Sequence, residues 1–332
     1  MLLAALCVVL LSVCNPPSGL AQDLITTVDP DSGQRNQFRG QVLAWDQQQL
    51  TYVTGGRERQ IPSRRVAGVV YPRNPRHVEA ERLFESGRFD QAALALENAA
   101  REESRPWVVE EMRARRLQCA LAVGQLNVAI AEFLEILRAS PQTRYFHLIP
   151  LAWNIRERVE GPLAGELQRL LQQEDQATAL IAASWLLMTD DTAATDRLRQ
   201  LAISEDSRIA MLANAQRWRP RVIAATADDL RGWQATIERM PEPLQAGPRY
   251  LSAVVQQRLQ GDSAAVIALL QIPILFPEQY QLAGDSLLRA SQLLQRLGRE
   301  EESARVAREL LDRYANSAAA QALQNPVETI DP

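Results

Sequence analysis

Gly87-Arg88-Phe89-Asp90-Gln91-Ala92 returns 37 residues later as Gly124-Gln125-Leu126-Asn127-Val128-Ala129. The match continues past the run: Ala92, Leu96 and Ala99 correspond to Ala129, Phe133 and Ile136, and Pro141 closes the second unit. Each element of the pattern has a mechanical meaning. Glycine permits a sharp turn between two antiparallel helices, the small residue five positions on lets them approach, and the later apolar positions fill the seam. A repeat of this length is one supersecondary unit that cannot bury its apolar face alone, so it calls for neighbours. Gly261 and Gly298 stand 37 residues apart as well, with Leu287, Ala290, Ser291 and Leu294 before the second and Ser303, Ala307 and Leu310 after it. From residue 77 onward Ala, Leu, Arg, Gln and Glu prevail, which are good helix formers.

These units resemble the tetratricopeptide repeat (TPR). The resemblance implies a mainly α fold, a right-handed α-solenoid of TPR and TPR-like hairpins. Two repeats are expected over 77–141 and two TPR-like ones over 246–323. Leu310 to Ser317 also looks like the repeat endings of bacterial envelope proteins of the outer-membrane assembly and Tol-associated type, although Ala315 stands where those have proline. Pro273 predicts that the second helix of the Gly261 unit ends early or kinks.

Residues 142–245 follow the pattern less closely. Glu174-Asp175 before Ala179-Leu180-Ile181-Ala182 echoes Glu205-Asp206 before Ala210-Met211-Leu212-Ala213. Trp153, Trp185 and Trp218 recur at intervals of 32 and 33. Both periods predict divergent TPR-like or HEAT-like hairpins, with the tryptophans filling core rather than caging a ligand. Residues 324–332 read as a disordered tail.

The N-terminal part differs in kind. Leu2 to Val13 is uncharged and as a helix spans ~18 Å, against ~30 Å of bilayer hydrocarbon. With the breakers Asn15, Pro16 and Pro17 and the small-x-small site Gly19-Leu20-Ala21, it reads as a signal peptide over 1–21. Leu11-Ser12-Val13-Cys14 resembles a lipobox, so lipidation at Cys14 is the alternative; Val13 departs from the small residue usual there. The chain is therefore expected to be exported to the periplasm or cell envelope, soluble or peripherally anchored. Residues 22–72 alternate apolar and polar side chains and are rich in Val, Thr, Tyr and Ile, with Gly55-Gly56 at a tight hairpin. Five short strands there predict a small β-barrel, resembling SH3-like or Sm-like barrels of exported bacterial proteins. The stretch Tyr71 to Pro75 marks a boundary.

Charge is distributed unevenly. All 36 cationic side chains are arginine, and the segment from Gln22 to Arg76 carries +3 within a chain of net −4. Arg57, Arg59, Arg64 and Arg65 are candidates for contact with an anionic polymer or lipid headgroup; a solvated rim is the plainer reading. Nucleic acid is not expected, because the chain reads as exported and its aromatics are not interleaved as stacking platforms.

Candidate chemistry is sparse. Gly284-Asp285-Ser286-Leu287 spells the motif of a lipase and esterase family, but on a predicted helix with no histidine beyond His147. His77 and His147 lack ligand spacing. Cys119 follows Arg115 and Arg116, which would activate a thiol, yet sits among Leu117, Ala120 and Leu121 on a packing helix. Asp190-Asp191 and Asp228-Asp229 fall where helices should start. No catalytic residue, metal site or cofactor is therefore assigned. The expectation is a non-catalytic scaffold of the bacterial cell envelope, binding a protein or peptide partner in a TPR groove. The resemblance implies contacts from the first helix of each hairpin: His77, Glu81, Glu85, Gln118, Gln292 and Arg296. A hydrolase with an unrecognised site is the remaining alternative.

Overall fold

The computed structural model describes residues 22–155, 158–189 and 192–325. The signal peptide expected over residues 1–21, the alternative of lipidation at Cys14, the Asp190-Asp191 pair and residues 326–332 of the expected tail lie outside the described residues. The chain divides after Arg73 into two compact units.

In the first unit, β1 (Asp23–Val28), β2 (Arg35–Trp45), β3 (Gln49–Thr54), β4 (Arg57–Pro62) and β5 (Val66–Val70) form one antiparallel sheet in the order β4-β3-β2-β1-β5. The β1–β2 turn is built on Asp29, whose Oδ1 accepts from the Asp31 and Ser32 amides and the Ser32 hydroxyl. Residues directly opposite in such a sheet share a face. The pairs Ile25↔Phe38, Val42↔Tyr52 and Leu50↔Ile61 therefore define the apolar side, where Ile25, Val42, Leu50 and Tyr52 are buried. The closed barrel expected from the sequence is not formed; the sheet is open, with β4 and β5 as its edges. The register gives the reason. Arg59 and Arg57 stand opposite Tyr52 and Thr54, at positions where closure would need apolar side chains. Both arginines are exposed, and β5 contributes no buried residue.

The second unit is helical. Its helices are α1 (Pro75–Glu85), α2 (Phe89–Glu102), α3 (Pro106–Ala122), α4 (Leu126–Ala139), α5 (Gly161–Leu171), α6 (Gln176–Leu186), α7 (Thr192–Leu201), α8 (Ser207–Gln216), α9 (Ala227–Arg239), α10 (Ala246–Gln260), α11 (Asp262–Leu275), α12 (Tyr280–Arg296), α13 (Glu300–Arg313) and α14 (Ala318–Gln324). None of the described helices is long and apolar enough to cross a membrane.

Three hairpin turns are the same object. Gly87, Gly124 and Gly298 have φ of +72°, +73° and +71°. Each donates its amide three residues back, to Phe84, Leu121 and Gln295. The residue after it donates five back, to Leu83, Ala120 and Leu294. This is the Schellman closure, which a left-handed residue at the turn makes possible. Behind the turns, Ala92, Leu96 and Ala99 on α2 and Ala129, Phe133 and Ile136 on α4 are all fully buried. Gly261 is different: with φ +91° and ψ 171° it joins α10 directly to α11, without that closure. Pro273 does not end α11, which continues to Leu275 with the proline ring buried.

Between α4 and α9 the acidic echo has a structural cause. Asp175 and Asp206 are equivalent N-caps, accepting from the Thr178 amide at 2.7 Å and the Arg208 amide at 2.9 Å. Asp229 belongs to a capping box with Thr226 that starts α9. The packing departs from a plain stack, in which each hairpin touches only its neighbours. Helix α12 packs on α10, α11, α13 and α14, and also on α3. The Gln281 amide group donates to the Leu121 and Ala122 carbonyls, both at 3.0 Å. Asn316 Nδ2 donates to the Gly87 carbonyl at 3.1 Å, and the Tyr280 ring meets Phe89 edge-on at 5.2 Å. The earliest and latest hairpins of this unit are thus in direct contact.

Candidate functional site

The chain between α4 and α5 is where the helical pattern is interrupted. Ile149 to Asn154 forms no helix or strand, yet Ile149, Leu151, Ala152 and Trp153 are buried. Buried backbone without a ladder must find other partners, and side chains from three places supply them. Trp185 Nε1 on α6 donates to the Pro150 carbonyl at 2.8 Å. The Ala152 amide donates to Ser184 Oγ at 3.2 Å, and its carbonyl accepts from Gln216 Nε2 at 2.9 Å. Arg219, only 1% exposed, donates through Nη2 to the Asn154 carbonyl at 2.8 Å and through Nη1 to the Ser184 carbonyl and Gln216 Oε1. Alternate residues of the segment are pinned in this way.

The other side of the segment borders a cavity of about 570 Å³, lined also by the α3–α4 turn and the first half of α12. Its aromatic wall comprises Trp153, Trp185 and Tyr280. Asp285 on α12 accepts from Asn154 Nδ2 at 2.9 Å. Burial pushes the Asp285 carboxyl above the ordinary aspartate value, against the opposing pull of Asn154 and the Arg289 charge. The Arg289 Nε and Nη2 groups both donate to Gln257 Oε1, so this arginine does not close on the carboxylate. A second hollow between α4, α6 and α8 is bordered by Arg208, but that guanidinium is held by both oxygens of Asp206 and by the Pro141 carbonyl. The first cavity sets Asp285, a carboxylate without an ion pair among the described residues, beside three aromatic side chains.

None of the residues singled out for a groove lines this cavity. His77 is fully buried and Glu81 is 8% exposed, so neither faces an open groove. Glu81 Oε1 lies 3.7 Å from His77 Nε2 and 3.4 Å from Arg115 Nε, and Arg115 also donates to Gln118. Glu85 and Gln292 are exposed, and Arg296 holds the Asp262 carboxylate at 3.0 and 3.1 Å. Arg57, Arg59, Arg64 and Arg65 are all exposed, with Arg65 3.8 Å from Asp29.

Ser286 is fully buried on α12 and donates to the Leu282 carbonyl, so the lipase-like letters do not present a nucleophile. Cys119 is buried, and desolvation pushes its thiol up to about 12 despite Arg115 nearby. His147 is held below its usual range by burial. Of the three recurring tryptophans, Trp218 is core, stacked on Trp233 at 4.9 Å; Trp153 belongs to the same core, Trp185 packs against it, and these two also border the cavity. Asp285 was visible in the sequence as a charge inside the apolar run Leu282 to Leu287, and only the coincidence with a motif drew attention to it.

No family model, curated protein or solved structure matches this chain. The chemistry rests on the site alone. An aromatic-walled cavity with a half-buried carboxylate is equipped to hold a ligand by charge and apolar contact.

Proposed function

We propose that this chain is a non-catalytic interaction module of the bacterial cell envelope, whose helical unit binds a segment of a partner protein. The observation that carries the reading is the threefold recurrence of one hairpin turn, at Gly87, Gly124 and Gly298, with the same closure and φ. Together with the buried seams behind them, these turns support a TPR-like character for α1–α4 and α12–α13. Such hairpins typically serve as platforms for peptides or helices. Export to the envelope rests on the sequence pattern of residues 1–21. The test is photo-crosslinking in cells from the full chain, with the reactive residue at Glu85 or Gln292 on the helices or at Arg59 on the sheet. A stoichiometric protein adduct from the helical positions supports the reading; no protein adduct from either overturns it.

A second reading has one observation in its favour. Arg57, Arg59 and Arg64 are exposed without an ion pair among the described residues, so the sheet presents unneutralised cations suited to an anionic polymer or headgroup. Retention on anionic vesicles that collapses between low and high salt is its expected signature. Retention unchanged by Arg57→Ala and Arg59→Ala would remove it.

A further inference from the structure

We propose that the cavity between the 149–154 segment, the α3–α4 turn and α12 receives a cationic group on an apolar or aromatic stem, with Asp285 as its counter-charge. For the source of that cation, a basic side chain of the partner segment, the proposal rests on the interaction reading above. The chemistry itself stands apart from it.

The argument is one of donors and acceptors. The half-buried amide side chains around the cavity and the Trp185 indole each have a donor engaged by the protein, and the Tyr280 hydroxyl accepts from the Asn316 amide; Gln321, at the rim, is exposed. Gln281 donates to Leu121 and Ala122, Gln279 to His147, Asn316 to Gly87, and Trp185 to Pro150. Asn154 gives its amide hydrogen to Asp285. A sugar or other polyhydroxylated ligand needs a mixed set of donors and acceptors, and this wall is short of donors. What it offers is the carboxylate, which accepts only, beside Trp153, Trp185 and Tyr280. Arg158 and Glu160 also border the cavity, but both are exposed and opposite in sign.

Electrostatics points the same way. A partly buried carboxylate needs a compensating charge, and Asp285 has no ion pair among the described residues, with Arg289 bound to Gln257. Burial already raises its pKa, so a ligand cation relieves a desolvation penalty present in the free protein. An ammonium or guanidinium also gains from aromatic faces near it, because the ring quadrupole attracts a cation. An anion would meet the carboxylate and be rejected.

The experiment uses the full chain at neutral pH with three probes of one shape: benzylamine, benzyl alcohol and benzoate. Binding is followed by calorimetry and by the indole NMR signals. The amine is expected to bind at least about tenfold more tightly than the alcohol, a difference of roughly 1.4 kcal/mol, with benzoate not binding. The signals of Trp153 and Trp185 should shift while those of Trp218 and Trp233 stay. Asp285→Asn should bring amine and alcohol to equal affinity with the thermal midpoint unchanged or higher. Equal affinities in the parent protein, binding of benzoate, absence of amine binding, or shifts confined to Trp218 and Trp233 would each overturn the proposal. Because the indole shifts are read on the parent protein, a variant that fails to fold leaves the test intact. Amine binding without any cross-linked partner would sink the interaction reading alone. A cross-linked partner without amine binding would sink this one alone.

Discussion

The α3–α4 hairpin and the 149–154 segment lie against the same cavity and are held in opposite ways. The hairpin is closed by a left-handed glycine and an apolar seam, so its geometry is set within about 37 residues of sequence. The segment has no periodicity to hold it. It depends on Trp185, Gln216 and Arg219, which lie 35 to 65 residues further along the chain. Local closure tolerates loss of one contact, because seam burial is spread over many side chains. A segment braced by a few buried polar groups does not, since each lost donor leaves a carbonyl with neither protein nor water. The difference also bears on function: the cavity owes its wall to the braced segment.

The strongest way to break the contrast is Arg219→Met. It removes the donors to the Ser184 and Asn154 carbonyls from a site that is 1% exposed. At about 1–3 kcal/mol for each orphaned acceptor, the loss should reach roughly 3 kcal/mol. That corresponds to about 6–12 °C in the thermal midpoint of a domain of this size. Arg219→Lys should recover only part, because an ammonium lacks the planar fork that spans both carbonyls. If Arg219→Met melts with the parent protein, the segment is not braced as described.

Gly247→Ala should come next. Gly247 lies in α10 without a left-handed φ, yet an added Cβ would sit 1.9 Å from Cε2 of Trp153. Overpacking of this kind costs about 1–3 kcal/mol, and here the indole must move. The substitution is therefore expected to lower stability and to disturb the cavity wall, read as a changed Trp153 environment in fluorescence or NMR. Gly124→Ala makes the converse change. At φ +73° with nothing within 4 Å of the new Cβ, it meets empty space and pays only backbone strain, about 1 kcal/mol. Gly124→Asn should cost less, since asparagine tolerates the left-handed region. Equal effects at Gly247 and Gly124 would erase the distinction between packing and conformation.

These contrasts explain what the sequence could disclose. The hairpins were legible because their cause is local: a glycine, a small residue and a seam recur at fixed offsets, and the same residues turn the chain and fill it. The acidic echo at Asp175 and Asp206 was legible as a repeat, though its meaning as paired N-caps needed the structure. The sheet's strands could be read from alternation. Its openness could not, because closure depends on which strands stand side by side and whether Arg57 and Arg59 fall on the buried face. The cavity was least visible. Trp153 and Trp185 share a 32-residue interval, but Asp285 lies about a hundred residues further on and no period connects it to them. The resemblance to the tetratricopeptide repeat put His77 and Glu81 on a groove, but their burial is tertiary and carries no local mark.

The smallest effect sharpens the comparison at its functional edge. The Asp285 carboxyl is held above the ordinary aspartate value of 3.8, chiefly by burial. A carboxyl raised on folding binds its proton more tightly in the native state. Below pH 3.8 both states are protonated and nothing is lost. As pH rises from there through the native value, the unfolded chain ionises first and the fold gives up stability, which it does not regain at neutral pH. Asp229 runs the other way: the Thr226 backbone and hydroxyl hold it low, and its contribution disappears as pH falls through that low value. The parent curve mixes both signs, so the informative quantity is the difference between the parent and Asp285→Asn. That substitution keeps an acceptor for Asn154 and removes the charge. The variant should be modestly more stable at pH 7, and the gap should close as pH falls toward 3.8. Thermal melts at a series of pH values measure it directly. A gap that is absent at pH 7, or that widens in acid, would mean Asp285 already has its counter-charge within the fold, and the cavity would have no call on an external cation.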